Sequence, residues 1–258
     1  MEVKENLIFD IGLHKGEDTA HYIKEGYNVL AVEANPVLVN YCKQKFENEI
    51  KSNRLTIINA GIADETGVLP FYVNLYSSEW SSFDKAIGTR NNTRFETINV
   101  PCIRTKSLFK EYGIPYYMKV DIEGNDFLSL NDIPDSDKKP QYVSCEANDA
   151  EWLDMLNRKG YKRFKLINQA NNFSPLNLRW EKNRSYITYR KIKHAINDKL
   201  KNVISPKYVG GSSGPFGENT KGSWKTYEEV RQTYLDYYQG DLKTPVKSVS
   251  WFDFHAAL

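Results

Sequence analysis

The stretch IFDIGLHKGEDT (8–19), with Glu33 of VLAVEANP 21 residues after Gly12, constrains the fold of this chain more than any other feature. It reads as a strand, a glycine turn, a helix, and a second strand that ends in an acid. The apolar residues Leu7, Ile8, Phe9 and Ile11 suit a strand buried on both faces. Gly12 permits a tight turn, and Gly16 lets a helix begin close to a ligand, because neither carries a side chain. Glu33 can accept hydrogen bonds from two ribose hydroxyls. The segment predicts a cradle for a nucleoside-type cofactor, with Asp10, Gly12, His14, Gly16, Thr19 and Glu33 around it.

The acids near the turn select among cofactors. A dinucleotide fingerprint, G-x-G-x-x-G, puts a pyrophosphate on a helix N-terminus. Here the pattern is Asp10-x-Gly12-x-x-x-Gly16, with Glu17 and Asp18 in the first helical turn. Three carboxylates stand where a pyrophosphate would sit, a costly repulsion in a partly dry cleft. An ammonium and a sulfonium fit better, so S-adenosylmethionine is the expected cofactor. A dinucleotide-dependent oxidoreductase is the rival enzyme class, since Glu33 serves NAD equally well. A non-catalytic glycan- or nucleotide-binding module, its acids acting only as helix caps, is the alternative outside enzymes.

Composition narrows the partners. Across 258 residues the net charge is only +2, with opposite charges interleaved, so no basic stripe for nucleic acid is expected. The apolar runs are far shorter than a membrane span and MEVKENLIF is not a signal peptide, which predicts a cytoplasmic protein. Cys42, Cys102 and Cys145 form neither a metal spacing nor a disulfide framework and read as reduced thiols. The chain is compatible with a homo-oligomer without specifying one.

Strand and helix signals alternate through the first two-thirds. Strands are expected at 7–11, 28–33, 55–59, 116–122, 142–146 and 161–167, and helices at 16–25, 36–50, 105–112, 124–131 and 149–159. Two extra strands, 68–73 and 97–104, flank a polar stretch, 74–96, that lacks periodicity. The alternation predicts an α/β fold with a doubly wound, mostly parallel sheet, helices on both faces, and ligands outside the carboxyl ends of its strands. From about Asn168 the chain becomes polar and asparagine-rich, then basic over 186–204. A glycine-rich 209–217 reads as a lid, 225–238 as a helix, and WFDFHAAL as an aromatic tail. Residues 1–167 are therefore the expected cofactor-binding core, and 168–258 an extension supplying acceptor loop, lid and tail.

Further acids end the central strands. KVDIEGND places Asp121 at a strand terminus and Glu123 two residues on; VSCEAND does the same with Glu146 and Asn148. Asp121, Glu123 and Glu146 can surround the spot where a transferred group meets its acceptor. One of them can serve as general base, or Asp121, Glu146 and Asn148 can bind a divalent cation. Such carboxylates also cap helices, the simpler role for Asp149. Lys119 is placed to steady Asp121 or a substrate oxygen. His14 lies inside the cofactor turn, and His255 is expected to fold back over the cleft as a base near neutral pH. For the acceptor, Asn168, Gln169, Asn171 and Asn172 can hydrogen-bond hydroxyls, while Phe216 and Trp224 offer flat faces for a sugar ring or base. Ordinary packing is the simpler role of any one aromatic.

DIGLHKGEDT, AVEANP, NAGIADETG and MKVDIEGND followed by VSCE resemble the FkbM family of S-adenosylmethionine-dependent methyltransferases over roughly residues 7–167. The resemblance implies a Rossmann-like class I methyltransferase sheet and O-methylation of a hydroxyl, commonly on sugars or polyketide-type products. It carries Asp10, Gly12 and Gly16 into the cofactor loop, makes Glu33 the ribose acid, and sets Asn59, Gly61 and Ile62 beside the adenine. Asp121 and Glu123 occupy the family's acidic pair. The chain departs at Leu13-His14, where members tend to carry alanine and asparagine, and at Asn125-Asp126, where alanine-glutamate is usual. No N/D-P-P-Y/F signature of amino-methylating enzymes is present. The expected activity is O-methylation of a sugar hydroxyl, on a nucleotide sugar or a glycan in surface polysaccharide biosynthesis.

Overall fold

A computed structural model describes residues 2–169, 173–178, 212–238 and 251–258, with positions 185, 188, 189 and 192 between them. Asn171 and Asn172, and most of the basic segment 186–204, lie outside the described residues.

The chain opens with β1 (Val3–Ile11), α1 (Glu17–Lys24) and β2 (Asn28–Glu33). Asn35 then caps α2 (Pro36–Lys45) by accepting from the Val37 amide at 3.0 Å, with proline in the first turn. The single helix expected over 36–50 breaks at Phe46, where φ −113° and ψ 31° turn the buried ring inward, and α3 (Glu47–Lys51) follows. β3 (Leu55–Asn59) leads into a small sheet of β4 (Gly61–Ile62), β5 (Gly67–Asn74) and β6 (Phe95–Ile103). The non-periodic stretch between β5 and β6 holds two 3-10 turns and the short α4 (Lys85–Gly88). Asn74 organises it, donating to the Gly88 carbonyl and accepting from the Tyr76 and Ser77 amides. Then come α5 (Thr105–Tyr112), β7 (Ile114–Val120), α6 (Asp126–Asn131), β8 (Tyr142–Glu146), α7 (Ala150–Arg158), β9 (Arg163–Asn168) and β10 (Ser174–Pro175). α8 (Tyr227–Tyr238) and β11 (Phe252–Ala257) complete the described elements.

The central sheet runs β10-β9-β11-β8-β7-β1-β2-β3. Strands β3, β2, β1, β7 and β8 are parallel, while β11 pairs antiparallel with both β8 and β9. The aromatic tail is thus a strand inside the sheet and not a flap over the cleft. Its alternation explains this: Phe252, Phe254 and Ala256 enter one core beside Tyr234 and Tyr237 of α8, and Asp253 and His255 point to the other face. A boundary at 167/168 therefore does not divide the sheet. The second core packs Tyr22, Phe46, Tyr117 and Phe216 on the face that α1 covers.

The expected lid is also packed down where it is described. Residues 212–217 are buried, with the Ser212 hydroxyl and the Ser213 amide donating to Asp18. Phe216 stacks on Tyr117 with ring centroids 4.0 Å apart and planes at 4°.

Candidate active site

Strand register lines up the polar side chains. Asp10, Lys119, Ser144, His255 and Lys165 are successive partners across β1, β7, β8, β11 and β9, so they form one row on one face. All five are buried. Two residues nearer the carboxyl edge, Asp121 follows Lys119, Glu146 follows Ser144, and Asp253 pairs with Glu146. A buried polar row thus backs three acids at the carboxyl edge, of which Asp121 lines the crevice.

Lys119 joins the two rows. Its ammonium donates to the Gly12 carbonyl at 3.0 Å and to Asp10 Oδ1 at 3.3 Å, and lies 3.4 Å from Asp18 and 3.7 Å from Asp121. Burial pulls its proton affinity down, but the charges of Asp10, Asp121 and Asp18 outweigh that and hold its pKa well above the ordinary lysine value. Asp10 also accepts from the Thr19 hydroxyl at 2.6 Å. Burial raises the Asp10 pKa, against the pull of Lys119.

In front of these rows lies a cleft of about 840 Å³. Gly12, Leu13 and His14 form its floor, Glu33 and Ala34 one end, Ala60, Gly61 and Ile62 a side, and Lys119, Asp121 and Glu123 the other end. Ser78, Glu79, Ser81 and Phe83 supply the outer wall from the stretch without periodicity. Gly12 has φ +100°, and a Cβ there would meet the Asp121 carbonyl oxygen at 1.9 Å, so only glycine fits the crossing of β1 and β7. Glu33 accepts from the His14 and Asn35 amides, one on each oxygen, both at 2.8 Å. Burial raises its pKa, and the two amides partly offset that. His14 Nε2 shares a 2.8 Å hydrogen bond with the Ser78 hydroxyl, which draws the outer wall to the turn.

Several residues expected at the cofactor stand behind the cleft wall. Asp10 and Thr19 are fully buried and satisfy each other. Gly16 is required by packing, since a Cβ there would meet the Phe46 ring at 2.4 Å. Asn59 donates to the carbonyls of Glu33 and Ala34 and fixes the turn after β2. The acids at the cleft differ from those expected at two positions. Asp10 is withdrawn and Glu79 is added, while Glu17, Asp18, Glu33, Asp121 and Glu123 line the cleft, Asp18 also accepting from Ser212 and Ser213.

At the acceptor end, Glu123 sits at φ 49° in the turn after β7 and pairs with Arg90 Nη2 at 2.9 Å. Burial raises its pKa despite Arg90. Arg90 stacks on Trp80, 4.8 Å from the ring centroid. Asn125, the departure noted in KVDIEGND, donates to the Ile62 carbonyl at 2.8 Å and ties this turn to β4. Asp126 is wholly buried, its pKa pushed up to about 7 by burial and by Asp121. Gln169 bonds the side chain of Asp253.

The structure corrects three expectations. His255 is 1 % exposed in mid-strand, and burial, with Lys165 nearby, pushes its pKa down to about 3. It is a neutral core residue away from the cleft. Phe216 belongs to the core, and Trp224 packs on Tyr142 with Lys165 over its ring at 4.3 Å. Finally, Asp121, Glu146 and Asn148 do not assemble a cation site. The Asn148 amide donates to Glu146 at 2.7 Å, and among the described residues no group of three or more His, Cys, Asp or Glu is arranged to hold a metal.

The family model described as the methyltransferase FkbM domain matches residues 10–163. This chain belongs to the FkbM methyltransferase family. It is a Rossmann-like class I, S-adenosylmethionine-dependent methyltransferase, which sets the oxidoreductase alternative aside. No curated protein matches the sequence. Among solved structures, StiE O-MT residues 942-1257 is 12 % identical over 98 % of this chain and 67 % of that one, with TM-score 0.41. The phosphoethanolamine N-methyltransferase 2 of Haemonchus contortus, in complex with S-adenosyl-L-methionine, is 11 % identical over 100 % of this chain and 49 % of its own, with TM-score 0.37. The methyltransferase thus spans about half the length of that protein. Precorrin-6y C5,15-methyltransferase from Geobacter metallireducens is 10 % identical over 68 % of this chain and 74 % of that one, with TM-score 0.35. Among the described residues no helix is long and apolar enough to cross a membrane.

Proposed function

We propose that this methyltransferase acts on a hydroxyl oxygen of a sugar, carried as a nucleotide sugar or a glycan in surface polysaccharide biosynthesis. The observation that carries the reading is the pair Asp121 and Glu123 lining the cleft, with Glu146 and Asp253 continuing the acids along the carboxyl edge. A neutral hydroxyl must lose a proton to become an effective nucleophile, and a carboxylate within reach is the group that takes it. Tyr76, 79 % exposed, and Trp80 lie with ring centroids 5.9 Å apart on the rim next to Ser78 and Glu79. Such flat faces suit a sugar ring.

The cleft fits S-adenosylmethionine. Each Glu33 oxygen holds one backbone amide and keeps lone pairs for ribose hydroxyls, and the acids along the cleft match the sulfonium and ammonium of the donor. Ala60, Gly61 and Ile62 would flank the base; Gly61 has no room for a Cβ, which would meet Phe83 at 2.1 Å. When bound, the cofactor supplies an electrophilic methyl group. The residues around it bind, orient and exclude water, and alignment of this kind is worth roughly 7–11 kcal/mol of barrier. Labelled methyl transfer onto nucleotide sugars, free sugars and lipid-linked glycans tests the acceptor class; no turnover on any of them overturns it.

A further inference from the structure

We propose that Asp253 is a positioning residue for Glu146: the two carboxyls share one proton across β11 and β8, and this holds Glu146 ready to take the proton that the acceptor hydroxyl gives up. The inference rests on the methyl-transfer reading and adds a residue beyond the stretch matched by the family, 10–163.

Asp253 and Glu146 are direct partners in an antiparallel pair and point to the same face. Side chains so placed start only about 4.5–5.5 Å apart at Cβ. Asp253 is 3 % exposed, and its Oδ2 has no hydrogen-bond partner among the described residues. An ionised, buried, unpartnered carboxylate oxygen is expensive, whereas a proton shared with a neighbouring carboxyl satisfies it. Gln169 bonds the Asp253 side chain, and Asn148 donates to Glu146 Oε2 at 2.7 Å, so each carboxyl is oriented from outside the pair.

The other charged groups that face the pair are mostly acids. Asp121, Glu123 and Asp126 act on Glu146 from the turn after β7 and from α6, with Tyr238 near it from α8. Asp121, Asp18 and Lys119 act on Asp253, and the Lys119 ammonium is already engaged by Asp10, Gly12 and Asp18. Burial first, and these acids second, raise both carboxyls well above the ordinary range. In the step proposed, the acceptor O–H bond breaks, its electron pair stays on oxygen, and the proton binds the free carboxylate oxygen of Glu146. Water carries that proton away after the product leaves. Glu146 is half-buried at the end of β8, beside β7, whose next residue, Asp121, lines the cleft, so it is the member of the pair open to a proton from the acceptor; Asp253, 3 % exposed, acts through it.

The test uses the full chain, with S-adenosylhomocysteine as probe. Carboxyl-carbon NMR on protein labelled at Asp and Glu follows the titration of Glu146 in the wild type, and in Asp253→Asn. Calorimetric binding of the probe reports folding and the cofactor reading independently. A shared proton predicts that Glu146 titrates above the usual carboxylate range and falls by about one pH unit or more in Asp253→Asn. The reciprocal variant Glu146→Gln should lower the Asp253 titration likewise, and it serves if Asp253→Asn does not fold. If the surviving carboxyl keeps its wild-type midpoint in either variant, the pairing is wrong. If the wild type does not bind the probe, the methyl-transfer reading falls, and the role of the pair falls with it.

Discussion

Lys119 Nζ donates to the carbonyl oxygen of Gly12 at 3.0 Å, so a charge on β7 holds the glycine turn that follows β1. The same ammonium compensates Asp10 and Asp18, both buried. Lys119→Met keeps the length of the side chain and removes the charge, leaving two interior acids without their cation. Loss of one partner from a buried ion pair costs about 3–5 kcal/mol. Urea denaturation should show a loss of that order, and an undiminished midpoint would show that the lysine is dispensable to the turn.

Gly12 and Gly16 separate by what surrounds them. A Cβ at Gly12 meets backbone, the Asp121 carbonyl, which cannot step aside; one at Gly16 meets the Phe46 ring behind the cleft wall. Both lie at positive φ, +100° and +72°, a strain of order 1–3 kcal/mol for a non-glycine residue. Gly12→Ala should abolish measurable binding of S-adenosylhomocysteine. Gly16→Ala should lower stability while keeping most of the affinity. Calorimetry and thermal melts on the two variants check the pair.

Glu33 tests the ribose contact. Glu33→Gln keeps the shape and an acceptor oxygen but removes the charge that the His14 and Asn35 amides support. Hydrogen bonds to charged groups are worth about 1.5–3 kcal/mol, so affinity for S-adenosylhomocysteine should fall by roughly 10- to 100-fold. Unchanged affinity would place the nucleoside elsewhere.

The parallel sheet was legible because its strands are apolar runs ending in acids, and KVDIEGND and VSCEAND mark the carboxyl edge. The helix break at Phe46 was not, because a ring packing against Gly16 is a tertiary contact that leaves no periodic trace. Likewise Ser78 and Glu79 reach the cleft through turns built around Asn74, a network without sequence period. β11 is legible in FDFHAA, which alternates with period two and so sets Asp253 on the face opposite the aromatics. The acids of the glycine turn are plain in the sequence, but the inward turn of Asp10 to Thr19 is a tertiary contact that no spacing marks.

Phe216 distinguishes packing from recognition. It stacks on Tyr117, meets Tyr22 and Tyr27 edge-on, and is 6 % exposed. Truncating a buried phenylalanine costs about 3–5 kcal/mol. Phe216→Ala should therefore lose stability on that scale in denaturant, at every acceptor concentration. A variant of wild-type stability whose KM for the acceptor alone rises would return Phe216 to the binding site.

Two buried groups set opposite limits on stability with pH. The folded His255 pKa is about 3 against an ordinary 6.5, so the unfolded chain binds the extra proton between those values. Its contribution is complete above pH 6.5 and is lost as pH falls toward 3, up to roughly 5 kcal/mol. Asp126 runs the other way: its folded pKa is about 7 against 3.8, so the unfolded chain releases the proton first. That contribution is complete below pH 3.8 and is lost as pH rises to about 7, roughly 4 kcal/mol. His255→Leu should flatten the acid side of a stability–pH curve measured by denaturant titration. Asp126→Asn, whose side-chain oxygen can still accept from the Gly124 amide, should remove the decline between pH 4 and 7 and gain most at pH 8. The two slopes come from different residues, so each variant must alter its own and leave the other. If either variant shifts the whole curve by a constant amount, its group titrates equally in both states, and burial does not displace its pKa.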